Sequence, residues 1–332
     1  MSLNFMVKGC QEFAESLYRQ FFSSVNFLRM EGRFYMRIGY ACKVIGIPNT
    51  GMRSCLMKNA SESTLTDLIV HNLNALDVMI DYNRSVGIQL FRISSDLVPF
   101  GSSVVNQLRW WEQFAARFSA IGEKISSAGI RVSMHPGQYT VLNSPNEDVV
   151  NHAVQDLQYH EKVLSSLNVG AENKIILHVG GVYGDKARAL SRFEENYRCL
   201  DEPIRQRLVI ENDDRNYTAE DVLQLGIKLH IPVVYDNLHN AVNPGGCEKS
   251  DADWIKLYGK TWGKADGPQK IHYAQQDPAK RPGAHSNSIR INEFMNFASR
   301  LDNRNIDIML EVKDKNVSAL KCSKCLHHLS CN

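Results

Sequence analysis

Six apolar runs in this 332-residue chain lead into an imidazole or a carboxylate. His135 follows Ile130–Met134, His178 follows Lys174–Leu177, and Glu211 follows Leu208–Ile210. Asp236 closes Pro232–Tyr235, His272 follows Lys270-Ile271, and Glu311 follows Ile306–Leu310. An unpaired charge at the end of a buried run is costly. Donors gathered at one rim can share that cost through divalent cations. A nitrogen and oxygen set without cysteine suits Zn²⁺, Mn²⁺ or Fe²⁺. Taken singly, a histidine ending a strand is ordinarily a hydrogen-bonded core or loop residue. Six such residues at one rim point to metal instead. Asp236-Asn237-Leu238-His239 adds a donor three residues on. That exceeds one tetrahedral site, and a bridging carboxylate such as Glu211 suits a cluster of two or three ions. Such clusters activate a water and hold both oxygens of an in-line phosphoryl displacement.

Neighbouring segments bear on the substrate. Pro136-Gly137-Gln138-Tyr139 places an amide and an aromatic ring just after His135, where they could stack on or wedge between bases. The plainer role for Tyr139 is to cover the mouth of the site. The 275–285 segment combines amides with Lys280, Arg281 and His285, and its cations could neutralise phosphates. Such a pair is ordinarily solvated surface. Gly180-Gly181-Val182-Tyr183-Gly184 permits close backbone approach to an oxyanion, as does any tight turn between strand and helix.

Eight short strand-like runs can position these residues: 37–40, 89–93, 130–134, 174–178, 208–211, 232–236, 270–273 and 306–311. Helix-length segments lie between them. Ser63–Val86 carries Leu65, Leu68, Ile69, Leu73, Leu76, Met79 and Ile80 on one face, with Ser61 near its start. Ser144-Pro145 is expected to open another helix with Pro in its first turn. Thr218 precedes a third, with Glu220 and Asp221 complementing the dipole. Neither a GxGxxG nor a GxxxxGK[ST] pattern occurs. Eight β/α units fit a closed (β/α)₈ TIM barrel, with the six strand-end residues converging at one mouth.

Composition bounds the rest. The chain is 43% hydrophobic and 22% charged, with 38 basic and 36 acidic residues and a formal charge of +2. This excludes a disordered tail protein, a membrane protein and a disulfide scaffold. It neither announces nor excludes a nucleic-acid partner. No apolar run is long enough to cross a bilayer. The eight cysteines, mostly scattered, imply reduced thiols in a cytosol-like compartment. Phe13, Leu17, Phe21 and Phe22 recur at helical spacing near the N-terminus. The expected organisation is a helical extension over 1–35, a barrel over 36–315 and a Cys/His tail over 316–332. In that tail Cys322, Cys325, His327, His328 and Cys331 could bind zinc or remain free thiols.

Several motifs together resemble the UV damage endonuclease family. They are Arg37–Tyr40, Phe91–Leu97, Ser133–Tyr139, His178–Gly184, Glu211–Asp214, Asp236–His239, the 276–285 segment and Met309–Lys315, in family order. The resemblance implies a TIM-barrel, metal-dependent DNA repair nuclease related in architecture to endonuclease IV. Its members nick immediately 5′ to cyclobutane pyrimidine dimers and 6-4 photoproducts, leaving a 3′-hydroxyl and a 5′-phosphate. Many also act at abasic sites. Carried over by motif, His135, His178, Glu211, Asp236, His239, His272, His285 and Glu311 would hold up to three ions. Manganese is foremost, with zinc, magnesium or cobalt as alternatives.

Glu211, Lys270 and His272 would form the catalytic group, Lys270 matching a lysine that can be carboxylated. Gln138 and Tyr139 would probe the stack opposite the lesion, Tyr40 would contact DNA beside it, and Lys280 and Arg281 would take phosphates. Asp96 departs from the pattern, standing where some members have histidine. The expected partner is double-stranded DNA carrying UV lesions, met by a monomer in the cytoplasm, or at the nucleoid of a bacterium. The rivals are a plain abasic-site nuclease, a sugar isomerase-like metal barrel and a non-catalytic damage-binding module.

Overall fold

The computed structural model describes residues 36–246, 248–301 and 305–329. The expected N-terminal helix around Phe13–Phe22 lies outside them. Eight parallel strands close into a barrel in sequence order: β1 (Arg37–Ala41), β2 (Leu90–Arg92), β3 (Arg131–Met134), β4 (Lys174–His178), β5 (Leu208–Glu211), β6 (Val233–Asp236), β7 (Gln269–Tyr273) and β8 (Ile306–Leu310). β8 pairs back onto β1, placing Arg37 beside Asp307. The surrounding helices include α1 (Glu62–Val86), α2 (Trp110–Gln113), α3 (Ala115–Ser127), α4 (Glu147–Ser166), α5 (Lys186–Arg198) and α6 (Glu202–Arg207). They continue as α7 (Ala219–Leu229), α8 (Asn237–Val242), α9 (Asp251–Gly259), α10 (Ile291–Ser299) and α11 (Asn316–Leu329). The barrel is the expected (β/α)₈ fold.

The period of two along each strand divides its side chains. Ile38, Tyr40, Phe91, Val132, Met134, Ile175, Leu177, Val233 and Tyr235 join the large core beneath the helices. Ala41, Leu90 and Met309 form one separate small cluster, and Ile176, Val209 and Val234 another. These alternate positions belong to the inside of the barrel. Gly39 shares that face, and a Cβ there would sit 2.4 Å from the Leu90 carbonyl oxygen, so only glycine lets β1 and β2 approach. At the N-terminal ends the inner face is ionic: Asp307 pairs with Arg37 and Arg131, each at 2.6 Å, and Lys174 with Asp266 at 2.6 Å.

Caps fix where helices start. The Ser61 hydroxyl accepts from the Thr64 amide ahead of α1, and Thr218 and Asp221 form a reciprocal capping box on α7. α4 begins later than expected: Asn146, not Ser144-Pro145, is its cap. The Asn146 side chain accepts from the Asp148 amide at 2.9 Å, while Ser144 is spent on a turn before it.

A second difference concerns the end of the chain. Residues 316–329, expected as a tail, form the last helix of the barrel, with Ala319 and Cys322 buried in the main core. Asn316 ties this helix to the Ile45 backbone and to the Tyr82 hydroxyl. Cys322 is fully buried in that core, and burial pushes its thiol up to about 12. The side chains of His327, His328 and Cys331 lie outside the described residues.

Candidate metal centre and DNA-facing rim

The inner-face positions that begin with ions at one end of the barrel finish with metal-type donors at the other. Register places His178 beside Glu211 and Asp236 beside His272. Glu211 is fully buried and central. Its Oε2 lies 3.1 Å from His135 Nε2 and 3.7 Å from His178 Nε2. Its Oε1 lies 2.5 Å from His272 Nδ1 and 3.8 Å from His239 Nδ1. Three donor triads result, and Glu211 belongs to each: with His135 and His178, with His272 and Glu311, and with Asp236 and His239. Within each triad the donor atoms lie within 4.8 Å of one another. His285 reaches the edge of the group, its Nε2 3.6 Å from Glu311 Oε2.

Local structure aims these donors. Asp236 caps α8, accepting from the His239 amide at 2.7 Å, so one cap sets both residues of that pair. His239 Nδ1 meets the Asn212 carbonyl at 2.9 Å, and His135 Nδ1 meets the Pro136 carbonyl at 3.0 Å. Each backbone carbonyl fixes the orientation of its imidazole, as the hydrogen-bond partners behind metal-binding histidines do.

The electrostatics fit a cation. Burial would raise the Glu211 carboxyl, yet His272, His178 and the hydrogen bonds from His135 and His272 hold it well below its usual range. Glu311 is likewise lowered against its burial, chiefly by Arg92. Burial raises Asp236. It lowers His135 to about 4, favouring the neutral imidazole a ligand needs. His239 is raised to about 9: burial opposes this, and Asp236, Glu211 and Glu311 outweigh it. Two buried polar atoms of the group, His178 Nδ1 and Asp236 Oδ2, have no hydrogen-bond partner. Orphaned donors among concentrated carboxylates fit divalent ions held in N/O coordination.

Arg92 is a member of this centre that the sequence does not single out. Its Nη2 donates to Glu311 Oε1 at 2.6 Å and to His272 Nε2 at 2.8 Å. The signal was the strand period: Arg92 occupies the same inner-face position on β2 that the donors occupy on their strands. Lys270 lies one inner-face step below His272, outside the three triads. Its Nζ is buried and unpartnered, and burial followed by Arg131 lowers the amine far below its usual range.

Around the centre, Gln138 and Tyr139 stand exposed on the rim, Tyr139 at 72%. The Tyr139 ring folds back over Gly137, where a Cβ would lie 2.3 Å from it unless the ring moved. Beside them a pocket of about 370 Å³ runs past His178 and His239 to Tyr183, Arg215, Asn216 and Arg281. Tyr183, Arg215 and Asn216 are lining residues whose position only the fold reveals. Lys280 is half exposed, 3.7 Å from Asp277. Asp96 is exposed and outside the three triads. Tyr40 requires correction. It points outward from β1 into the core and is fully buried, its hydroxyl donating to Asn83, so this side chain does not reach DNA.

Residues 36–330 match the family described as UV-endonuclease UvdE. The chain belongs to this family. A UV DNA damage endonuclease of Clostridium perfringens is 44% identical over 296 residues, covering 89% of this chain and 72% of that protein. A putative UV-damage endonuclease of Acanthamoeba polyphaga mimivirus is 34% identical over 86% of this chain and 90% of its own. Among solved structures, SacUVDE superposes with a TM-score of 0.84 at 36% identity, over 89% of this chain and 99% of its own. Endonuclease IV from Thermus thermophilus shares the fold alone, with a TM-score of 0.54 at 14% identity over 88% of this chain and 99% of its own. Membership of the UV-endonuclease family places the chain among DNA repair endonucleases.

Proposed function

We propose that this chain nicks duplex DNA immediately 5′ to cyclobutane pyrimidine dimers and 6-4 photoproducts, leaving a 3′-hydroxyl and a 5′-phosphate, and also cuts at abasic sites. The observation that carries this is the sharing of Glu211 by three donor triads at the barrel mouth. His135, His178, Glu211, Asp236, His239, His272, His285 and Glu311 would hold up to three divalent ions, manganese foremost. When bound, the ions supply Lewis acidity and an activated water for phosphodiester hydrolysis.

The chain's own groups do the rest. Arg92 holds Glu311 and His272 in place. Lys270, a neutral amine in a sealed position, suits reaction with carbon dioxide, which forms a carbamate and releases a proton. Gln138 and Tyr139 fill the stack that the damaged bases leave, and a damaged step is cheaper to open. Lys280 and Arg281 take backbone phosphates. The protein acts as a monomer wherever the cell keeps its DNA.

Purified protein with Mn²⁺, given duplexes carrying one defined photoproduct, one abasic site or no damage, is expected to nick the damaged strands only. At the photoproduct a single 5′-side cut is expected. Equal cutting of undamaged DNA overturns the lesion specificity. Glu211→Gln is expected to lower nicking by about two orders of magnitude or more while lesion binding persists. Wild-type turnover in that variant removes Glu211 from the mechanism.

A further inference from the structure

Residues 42–61 join β1 to α1 and carry Lys43, Arg53 and Lys58 without a single Asp or Glu. The segment is tied down along its length. Ile45 exchanges hydrogen bonds with Asn316, Thr50 donates to the Val44 and Ile47 carbonyls, and Arg53 exchanges backbone bonds with Asn72 of α1. Where it can bury apolar side chains it does so: Val44 is in the core, and Ile47 and Met52 pack against it. Ile45 is 38% exposed, and Leu56 and Met57, adjacent in the chain, stand out further at 65% each. They sit at the short 3-10 turn Met57–Asn59, immediately before α1. A helix that follows a barrel strand starts at the end where the strands finish, so this pair stands at the same end as the metal centre and Tyr139.

We propose that Leu56 and Met57 form a second wedge, which enters the duplex beside the lesion while Lys43, Arg53 and Lys58 meet the flanking phosphates. This rests on the DNA-nicking function above. An anchored loop with cations and no acids is complementary to a polyanion. Apolar side chains pushed between base steps unstack them and kink the duplex, and the bend lets more protein surface engage. Removing two large apolar groups from water favours the same insertion. The kink eases extrusion of the damaged bases toward the pocket beside His178.

The test uses the full chain loaded with Mn²⁺ and a duplex with one photoproduct and a 2-aminopurine a few base pairs away. Binding of wild type is expected to raise 2-aminopurine fluorescence, and the doubly substituted L56S/M57S protein is expected to lose that rise. Its KM for nicking is expected to increase about tenfold, with metal content unchanged. On a duplex already unstacked by a mismatch beside the lesion, the deficit is expected to disappear, and L56M/M57L is expected to behave as wild type. An equal deficit on both substrates, or none on either, overturns the wedge. So does unchanged nicking with a shift in sedimentation, which would assign the pair to contact between copies. A wild-type protein that nicks no damaged duplex removes the underlying function, an outcome read before any variant is made.

Discussion

Glu211 carries a negative charge in a site where burial alone would neutralise it, and the imidazoles around it supply the compensation. The metal-free centre therefore stores opposing proton equilibria. Burial lowers His135 from 6.5 to about 4, so unfolding takes up a proton between those values and stability rises with pH through that window. His239 has the opposite sign. Its folded value is raised to about 9, so its contribution is whole below 6.5 and is lost as pH climbs toward 9. In chelated protein the melting temperature should rise with pH between about 4 and 6.5. His135→Asn should flatten the acid limb, by up to about 3 kcal/mol. His160, buried and also lowered, stays in both proteins, so their difference isolates His135. An acid limb unchanged by the substitution would show that His135 does not set it.

At the scale of elements, the strands carry two unlike polar layers on one inner face. The donors crowd the C-terminal ends, while Asp307, Arg37 and Arg131 close the opposite end, with Asp307 only 1% exposed. The closing layer ties β8 to β1 and to β3 across the barrel. Asp307→Asn leaves the buried Arg131 and the part-buried Arg37 without their shared anion, and breaking the buried pair is expected to cost about 3–5 kcal/mol. A urea midpoint within error of wild type would show that Arg37 and Arg131 find other partners. Metal content at room temperature is expected to hold, because the ligands sit at the far end of the strands. α11 shows the same dependence of element on context. Its burial of Ala319 and Cys322 makes it part of the barrel wall, although its sequence reads as a Cys/His tail that could bind zinc or keep free thiols.

For the whole molecule, a formal charge of +2 hides an uneven distribution. The barrel mouth concentrates Glu211, Asp236 and Glu311, and bound divalent ions would reverse the local sign. Removing them with a chelator is expected to weaken binding to lesion-bearing duplex about tenfold at moderate salt, before any question of cleavage. Equal affinity with and without chelator would mean that the rim cations alone hold the phosphates.

The eight strands and the donors at their ends were legible in the sequence, because alternation and strand length are local and each donor directly follows or ends an apolar run. His135, His178, Glu211, Asp236, His272 and Glu311 announced themselves by type and place. What local pattern could not supply was direction and partnership. Tyr40 sits one residue off the inner-face register, so the barrel turns it into the core beside Asn83 and away from DNA. Arg92 looked like one more strand residue until closure of the sheet brought β2 across from Glu311 and His272. The sequence alone determined which residue types end the strands; the closed barrel decided that Glu211 is common to all three triads, because only closure sets residues from β3 to β8 within reach of one carboxylate.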